Sequence, residues 1–260
     1  MEIRFSLSMF LAVTANMLSP CAYAEDATDD YAIIPYRPSV SSPAQLPVAG
    51  HLELELGGLS VKTDDARRNS TPYTLKLAFN KDWGVVLGGE AYVAANDGLG
   101  SHEYGIGDTT TVLKRAFIVN DATALGLEFG VKLPTAKDTI GSGKTDYSIN
   151  SILSRDFGAV HMDANFNLTH VGLVNAGESS TQIGEAASLS YPLNEKIGLI
   201  AELSGTQRNG TSSTAQALTA LTYSPSKTLT LDMGMAKGLN NASQDYSLFF
   251  GMVVPIAKLW

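Results

Sequence analysis

Cysteine is almost absent: of 260 residues only Cys21 carries a thiol, and it lies in a stretch with the marks of an export leader. Without that residue the exported chain has neither disulfides nor thiol chemistry, so backbone pairing and packing must hold it together. Basic residues are also short, 18 Lys and Arg against 26 Asp and Glu for a net charge of −8. That balance excludes the basic face that nucleic acid requires. No apolar run of about 18 or more residues follows the leader, so a membrane could be crossed only with strands. Charged residues make up 17% of the chain and hydrophobic ones 44%, which excludes a disordered chain.

The leader is residues 1–24. Arg4 precedes an apolar run from Phe5 to Leu18, and Ala22-Tyr23-Ala24 supplies a small-x-small cleavage site. The mature chain is expected to begin at Glu25, exported across the inner membrane of a Gram-negative cell. Leu18-Ser19-Pro20-Cys21 loosely resembles a lipidation box, but Pro20 stands where a small residue is needed.

Residues 25–49 open with Glu25, Asp26, Asp29 and Asp30 and then carry Pro35, Pro38, Pro43 and Pro47. Proline at this density removes backbone donors and forbids a regular strand or helix. The simplest expectation is a loose periplasmic leader. The alternative is a lumen plug tucked into a barrel mouth, with Arg37 and Pro38 as plug residues.

From residue 50 the pattern changes to strict alternation. Ala124 to Leu133 sets Leu125, Leu127, Phe129, Val131 and Leu133 against Gly126, Glu128, Gly130 and Lys132, one apolar face and one wet face. Comparable segments recur at 50–60, 71–80, 83–95, 105–118, 122–133, 146–156, 159–172, 183–191, 195–207, 214–223, 228–237 and 245–257. Their connections alternate between tight turns (80–82, 119–121, 157–158, 192–194, 224–227) and longer Gly, Ser, Asn and Asp-rich loops (61–70, 96–104, 134–145, 173–182, 208–213, 238–244). About twelve strands of membrane-spanning length, short turns at one end and longer loops at the other predict an all-β fold, a transmembrane antiparallel up-and-down barrel over residues 50–260. Tyr73, Phe79, Trp83, Phe117, Tyr147, Phe157, Tyr191, Tyr223, Tyr246 and Trp260 fall near strand ends, as interfacial girdles require. The last strand, with Tyr246, Leu248, Phe250, Met252, Val254, Ile256 and Trp260 on one parity, resembles the terminal signal read by the barrel-assembly machinery. Outer-membrane lipid is the other expected partner.

Placing the polar parity inward assigns Glu53, Glu55, Lys76, Asp108, Lys114, Glu128, Lys132, Asp163, Asn165, Asn167, Glu202 and Asp232 to the lumen, because a basic residue facing lipid at mid-depth costs about 2–4 kcal/mol. Acids outnumber bases there by seven to three. Two readings follow: an electrostatic bias toward cationic or neutral solutes, or a lattice of ion pairs that keeps the barrel rigid. Lys114 is the nearest candidate partner for Glu128, across the 119–121 turn.

Chemistry is sparse. Of the four histidines, His51 and His102 sit at a strand start and in a loop, while His161 and His170 have opposite parity on one strand and cannot share a metal. Ser151 with His170 could be cast as a lipid hydrolase pair, but no orienting residue accompanies them. Gly105-Ile106-Gly107-Asp108 lacks the lysine and helix of a phosphate loop and reads as a strand start. Neither catalytic residues nor a cofactor is expected.

Three stretches resemble one family. Arg37-Pro38-Ser39-Val40 with Leu46 to Glu55 (Gly-His-x-x-x-Glu at Gly50, His51 and Glu55), Gly105-x-Gly107-Asp108 followed by Lys114, and Gly130-Val131-Lys132-Leu133-Pro134-Thr135 are similar to segments of outer-membrane proteins named for the meta-pathway of phenol degradation. Tyr36 departs from that pattern, standing where Asp usually precedes Arg-Pro, and Ala136 replaces a Gly. The resemblance implies an outer-membrane transporter barrel without catalytic residues, its phenolic cargo a matter of the family's name. The functional expectation is a channel for small solutes, hydrophobic or aromatic ones included. The alternative is a closed structural barrel whose loops 61–70 and 134–145 bind a partner, and an outer-membrane lipid hydrolase is the remaining reading.

Overall fold

The alternation is realised as one closed antiparallel barrel. The computed structural model describes residues 31–260, so the leader, Cys21 and the cleavage site before Glu25 lie outside the described residues. The strands are β1 (His51–Thr63), β2 (Ala66–Ala78), β3 (Trp83–Asn96), β4 (His102–Gly105), β5 (Thr109–Asn120), β6 (Thr123–Leu133), β7 (Asp146–Phe157), β8 (Val160–His170), β9 (Thr181–Pro192), β10 (Ile197–Arg208), β11 (Thr214–Ser226), β12 (Leu229–Gly238) and β13 (Tyr246–Lys258). Neighbours follow chain order, β1 pairs with β13, and the β2–β3 pairing leaves no open edge. The short β4 pairs only with the loop-side end of β3, whose other end pairs with β5. The two share one position, so the barrel has twelve strands.

Side chains take the faces that their parity dictates. On β6, Leu125, Phe129 and Leu133 are exposed to the lipid side, whereas Gly126, Glu128 and Gly130 are buried within. Phe79, Trp83, Phe117, Phe157, Tyr191, Tyr223 and Trp260 form an exposed aromatic belt at the tight-turn end. Arg115 stacks over Trp83 and Phe117 at 5.1 and 5.0 Å and Arg155 over Phe157 at 5.2 Å, the amphipathic anchoring suited to a membrane interface.

Three of the four strand prolines sit where the ladder shifts, the fourth, Pro192, ending β9. Pro72, Pro225 and Pro255 each fall at a register irregularity, because a residue without N–H fits a bulge and not a regular ladder.

Three expectations are corrected. Residues 61–70 are not a loop: β1 and β2 continue to a tight turn at Asp64-Asp65, with Asp64 in the left-handed region at φ 51°. Polar residues there suggested a loop, but strand pairing can extend beyond the lipid, where both faces are wet. The segment 105–118 is not one strand but breaks at residues 106–108. There the Gly107 N–H donates to the Glu90 carbonyl at 2.9 Å, and Asp108 accepts the Ala136 and Ser142 N–H groups at 3.1 and 3.4 Å. Asp108 thus tethers the 134–145 loop. Third, residues 31–49 are not a loose leader but lie inside the barrel, bonded to side chains around its wall.

At the loop end, Glu178 pairs with Arg208 at 3.1 Å, and hydrogen bonds from Asn175 hold its carboxyl below the usual range.

The lipid-facing assignment is directly testable. Phe129→Arg, flanked on its face by Leu113 and Ile149, should lower barrel stability by about 2–4 kcal/mol in urea unfolding from vesicles, whereas Leu99→Arg on an exposed loop tip should leave it unchanged.

Candidate functional site: the occupied lumen

Acidic residues recur on the inward parity, and their partners come largely from the N-terminal segment. That segment forms a loop within the barrel. It starts near the tight-turn end, where Tyr31 stacks on His51 at 4.1 Å and the Ile33 N–H donates to Lys227 O. It reaches its deepest point at residues 37–42 and returns to β1 through Gly50.

Each limb is held by inward carboxylates and lysines. The Tyr36 and Arg37 N–H groups donate to the two oxygens of Glu55 at 2.7 and 3.1 Å, and the Tyr31 hydroxyl donates to Glu53 at 2.9 Å. Lys76, fully buried, pairs with Glu53 at 2.9 Å and Glu55 at 2.6 Å and donates to the Ile34 carbonyl. Arg37 forms a two-pronged contact with Asp232, both bonds 3.0 Å, and also donates to the Phe250 carbonyl at 3.1 Å. At the tip, the Val40 and Ser41 N–H groups donate to the two oxygens of Glu202 at 3.0 and 2.9 Å. The Ser42 backbone exchanges two 2.9 Å bonds with the Asn165 amide.

On the return limb Lys114 donates to the Pro43 carbonyl and pairs with Glu128 at 3.0 Å, the partner anticipated for Glu128 across the turn. The Ala44 N–H donates to Ser154 Oγ at 2.7 Å, and Ser154 in turn bonds Asp163. His161 closes this network, 3.2 Å from Asp163 and 2.6 Å from Asp156. The Tyr36 ring lies between the Lys76 and Lys114 ammonium groups, 4.4 and 4.1 Å from its centroid, and its hydroxyl donates to Gln45 O at 2.9 Å. A ring face satisfies both cations.

Four of the seven inward carboxylates, Glu53, Glu55, Glu202 and Asp232, thus bond the segment directly. The acid excess is spent on holding it rather than on an open cationic path. Asp108 and Lys132 lie apart, at the loop end, where Lys132 meets Asp146 at 2.7 Å and Asp108 at 3.6 Å. Asn167 lies above the segment in the loop-side half of the lumen. Pro38 makes no side-chain anchor of its own and sits between Arg37 and the tip.

Inward glycines, not singled out in the sequence, shape the track. A Cβ on Gly57 or Gly251, which face each other across β1 and β13, would lie 2.7 or 2.5 Å from the Arg37 guanidinium. One on Gly84 would lie 2.8 Å from Leu46, and one on Gly126 3.2 Å from Ala44. The signal was present: Gly57 continues the Glu53, Glu55 parity by one step. Its meaning depends on what lies opposite.

The suggested hydrolase pair is not brought together. Ser151 pairs with Phe166 and His170 with Tyr147, four residues apart along the ladder and about 13 Å by strand rise, both on the outer face.

Residues 37–255 match the family described as "Putative MetA-pathway of phenol degradation". The chain belongs to this family. The stretches that resemble the family hold several of these contacts: Arg37 on Asp232, Glu55 under the segment, Asp108 at the loop tether and Lys114 on the return limb. Among solved structures, the COG4313 outer membrane channel from Pseudomonas putida F1 is similar at 15% identity and TM-score 0.65, covering 89% of this chain and 100% of that one. The NanC porin is similar at 10% identity and TM-score 0.58 (78% and 100%), and the KdgM porin in complex with disordered oligogalacturonate at 10% and 0.57 (79% and 99%). No curated protein matches the sequence. These structural likenesses show the fold, a closed barrel with the architecture of those outer-membrane proteins.

Lys76 offers the sharpest test of the buried lattice. Lys76→Met would strand Glu53 and Glu55 without their cation, and breaking a buried pair from one side costs about 3–5 kcal/mol. The expected result is a lower unfolding midpoint, with partial recovery in Lys76→Met/Glu53→Gln.

Proposed function

We propose that this protein is an outer-membrane channel for small solutes whose lumen is held shut by residues 31–49. One observation carries the reading. The segment's tip, Val40 to Ser42, separates two cavities along the barrel axis, one of about 500 Å³ on the loop side and one of about 600 Å³ on the turn side. Val40 borders the first and Ser39 and Ser41 the second. The tip is tied across the lumen to Glu202 on β10 and Asn165 on β8. A closed state held by polar contacts can open without unfolding the wall, since those contacts can be exchanged for water.

The lumen residues act as docking groups for the segment and not as catalysts, so the protein is read as a non-enzyme. Its cleaved leader and Gram-negative origin belong to the same reading, as does recognition of β13 and Trp260 by the assembly machinery. The density of bonding to the segment favours one rival, a permanently closed structural barrel.

Conductance in planar bilayers separates the two. The intact protein should show little current, Gly251→Val should raise it by displacing Arg37, and removal of residues 25–49 should give large open steps. A folded deletion variant with neither conductance nor solute flux in liposomes would overturn the channel reading and leave the closed barrel.

A further inference from the structure

The loop-side cavity has a chemistry that neither the family name nor the lumen charges anticipate. Its wall is built by β7 to β11, the loop-side end of β1 and the 239–245 loop. Asn167, Gln182, Ser204, Thr206, Gln216 and Gln244 supply amides and hydroxyls, with Val40 at the floor. Among the described residues no aromatic ring lines it, and the one charged residue on its wall, Glu185, has the outward parity of Ile183 and Leu189. The ion pairs that absorb the lumen charge lie below, against the segment, aside, at Asp108 and Lys132, or at the loop-end rim, where Arg208 is paired with Glu178.

The amides are partly oriented and partly free. Gln244 donates to Gln216 Oε1 at 2.6 Å and Gln216 donates to Ser204 Oγ at 3.1 Å, which fixes the Gln216 amide. Asn167 accepts from the Thr169 hydroxyl at 2.6 Å through its oxygen, which leaves its NH₂ as the donor for a solute in the cavity that it borders. Asn167 lies opposite Gly184, which has no side chain, and Gln182 is its diagonal neighbour on β9. Small apolar patches from Val61, Ala186 and Ala215 interrupt the polar lining.

Three solute classes can be compared by what each leaves unpaired. A charged solute would find no counter-charge and would lose hydration without return. An aromatic hydrocarbon would strip water from the amides, finding no ring to stack on. A neutral polyol offers hydroxyls that donate and accept, matching amide NH₂ and C=O groups in turn, and C–H faces for the alanine and valine patches. A volume of about 500 Å³ falls within the range of small-molecule sites.

We propose that this loop-side cavity binds neutral, multiply hydroxylated solutes of monosaccharide size, held chiefly by the amides of Asn167, Gln182 and Gln216. The inference rests on the channel reading only for its purpose, since binding needs no opening of the segment. A solute bound here lies directly on Val40, the tip of the closing segment.

The test is saturation-transfer NMR on the full-length protein in detergent micelles, with glucose, glucuronate, glucosamine and phenol as probes. Signal is scored against Val40→Trp, which fills the cavity from its floor and leaves the wall untouched. Glucose should show the largest difference, and Asn167→Leu/Gln182→Leu should weaken it about tenfold, the loss expected for one or two hydrogen bonds. If the double variant fails to fold, judged by heat-modifiable mobility, the ranking of the four probes against Val40→Trp still decides. A larger cavity-dependent signal from phenol or glucuronate, or a glucose signal unchanged by Val40→Trp, overturns the proposal. Conductance and binding fail separately: binding without flux would sink the channel reading alone, and flux without this ranking would sink only the present inference.

Discussion

Every charge that points into a twelve-stranded barrel has to be neutralised in a space too narrow for bulk water to do it alone. Lys76 shows the consequence: fully buried, it sits between two carboxylates, a backbone carbonyl and an aromatic ring. The carbonyl of Ile34 and the ring of Tyr36 come from the segment, while the two carboxylates belong to the wall. The wall would carry surplus carboxylates if the segment were absent, and the segment would carry unsatisfied N–H groups and Arg37 if the wall were neutral. The two are halves of one electrostatic unit.

Space is allocated as carefully as charge. Gly57 and Gly251 open a slot for the Arg37 guanidinium, while Gly84 and Gly126 admit the return limb at Leu46 and Ala44. Alanines complete that track, with Ala44 against Ala124 and Ile152, and Leu46 against Ala78 and Ala116. Small inward residues therefore cluster beside the segment, and larger amides and hydroxyls return above it. The segment thus divides the lumen between a turn-side cavity, bordered by residues 32–45, and a polar loop-side cavity above its tip.

The barrel itself needs none of this. Its strands close by backbone pairing, its irregular positions are absorbed at Pro72, Pro225 and Pro255, and its belt of aromatic and arginine side chains faces the interface. A scaffold so complete leaves the interior free to specialise, since changes at inward positions alter docking and solute contact without touching the lipid face.

Much of this was legible beforehand. Strict alternation at Leu125 to Leu133 determined strand and face, because side-chain period is two, and its repetition with tight turns at one end and longer loops at the other pointed to a barrel. Even the Lys114–Glu128 pair followed from hairpin register. Boundaries failed where polarity stopped being informative, at Lys62 to Arg68, since paired strands outside the lipid are wet on both faces, and at residues 106–108, where Asp108 serves a distant loop. The proline-rich segment was the larger misreading. Local sequence states only that residues 31–49 cannot form regular structure, and that their N–H groups need acceptors. That the acceptors are Glu55, Glu202 and Asn165 was decided by barrel closure alone, which brings positions far apart in sequence around a single lumen.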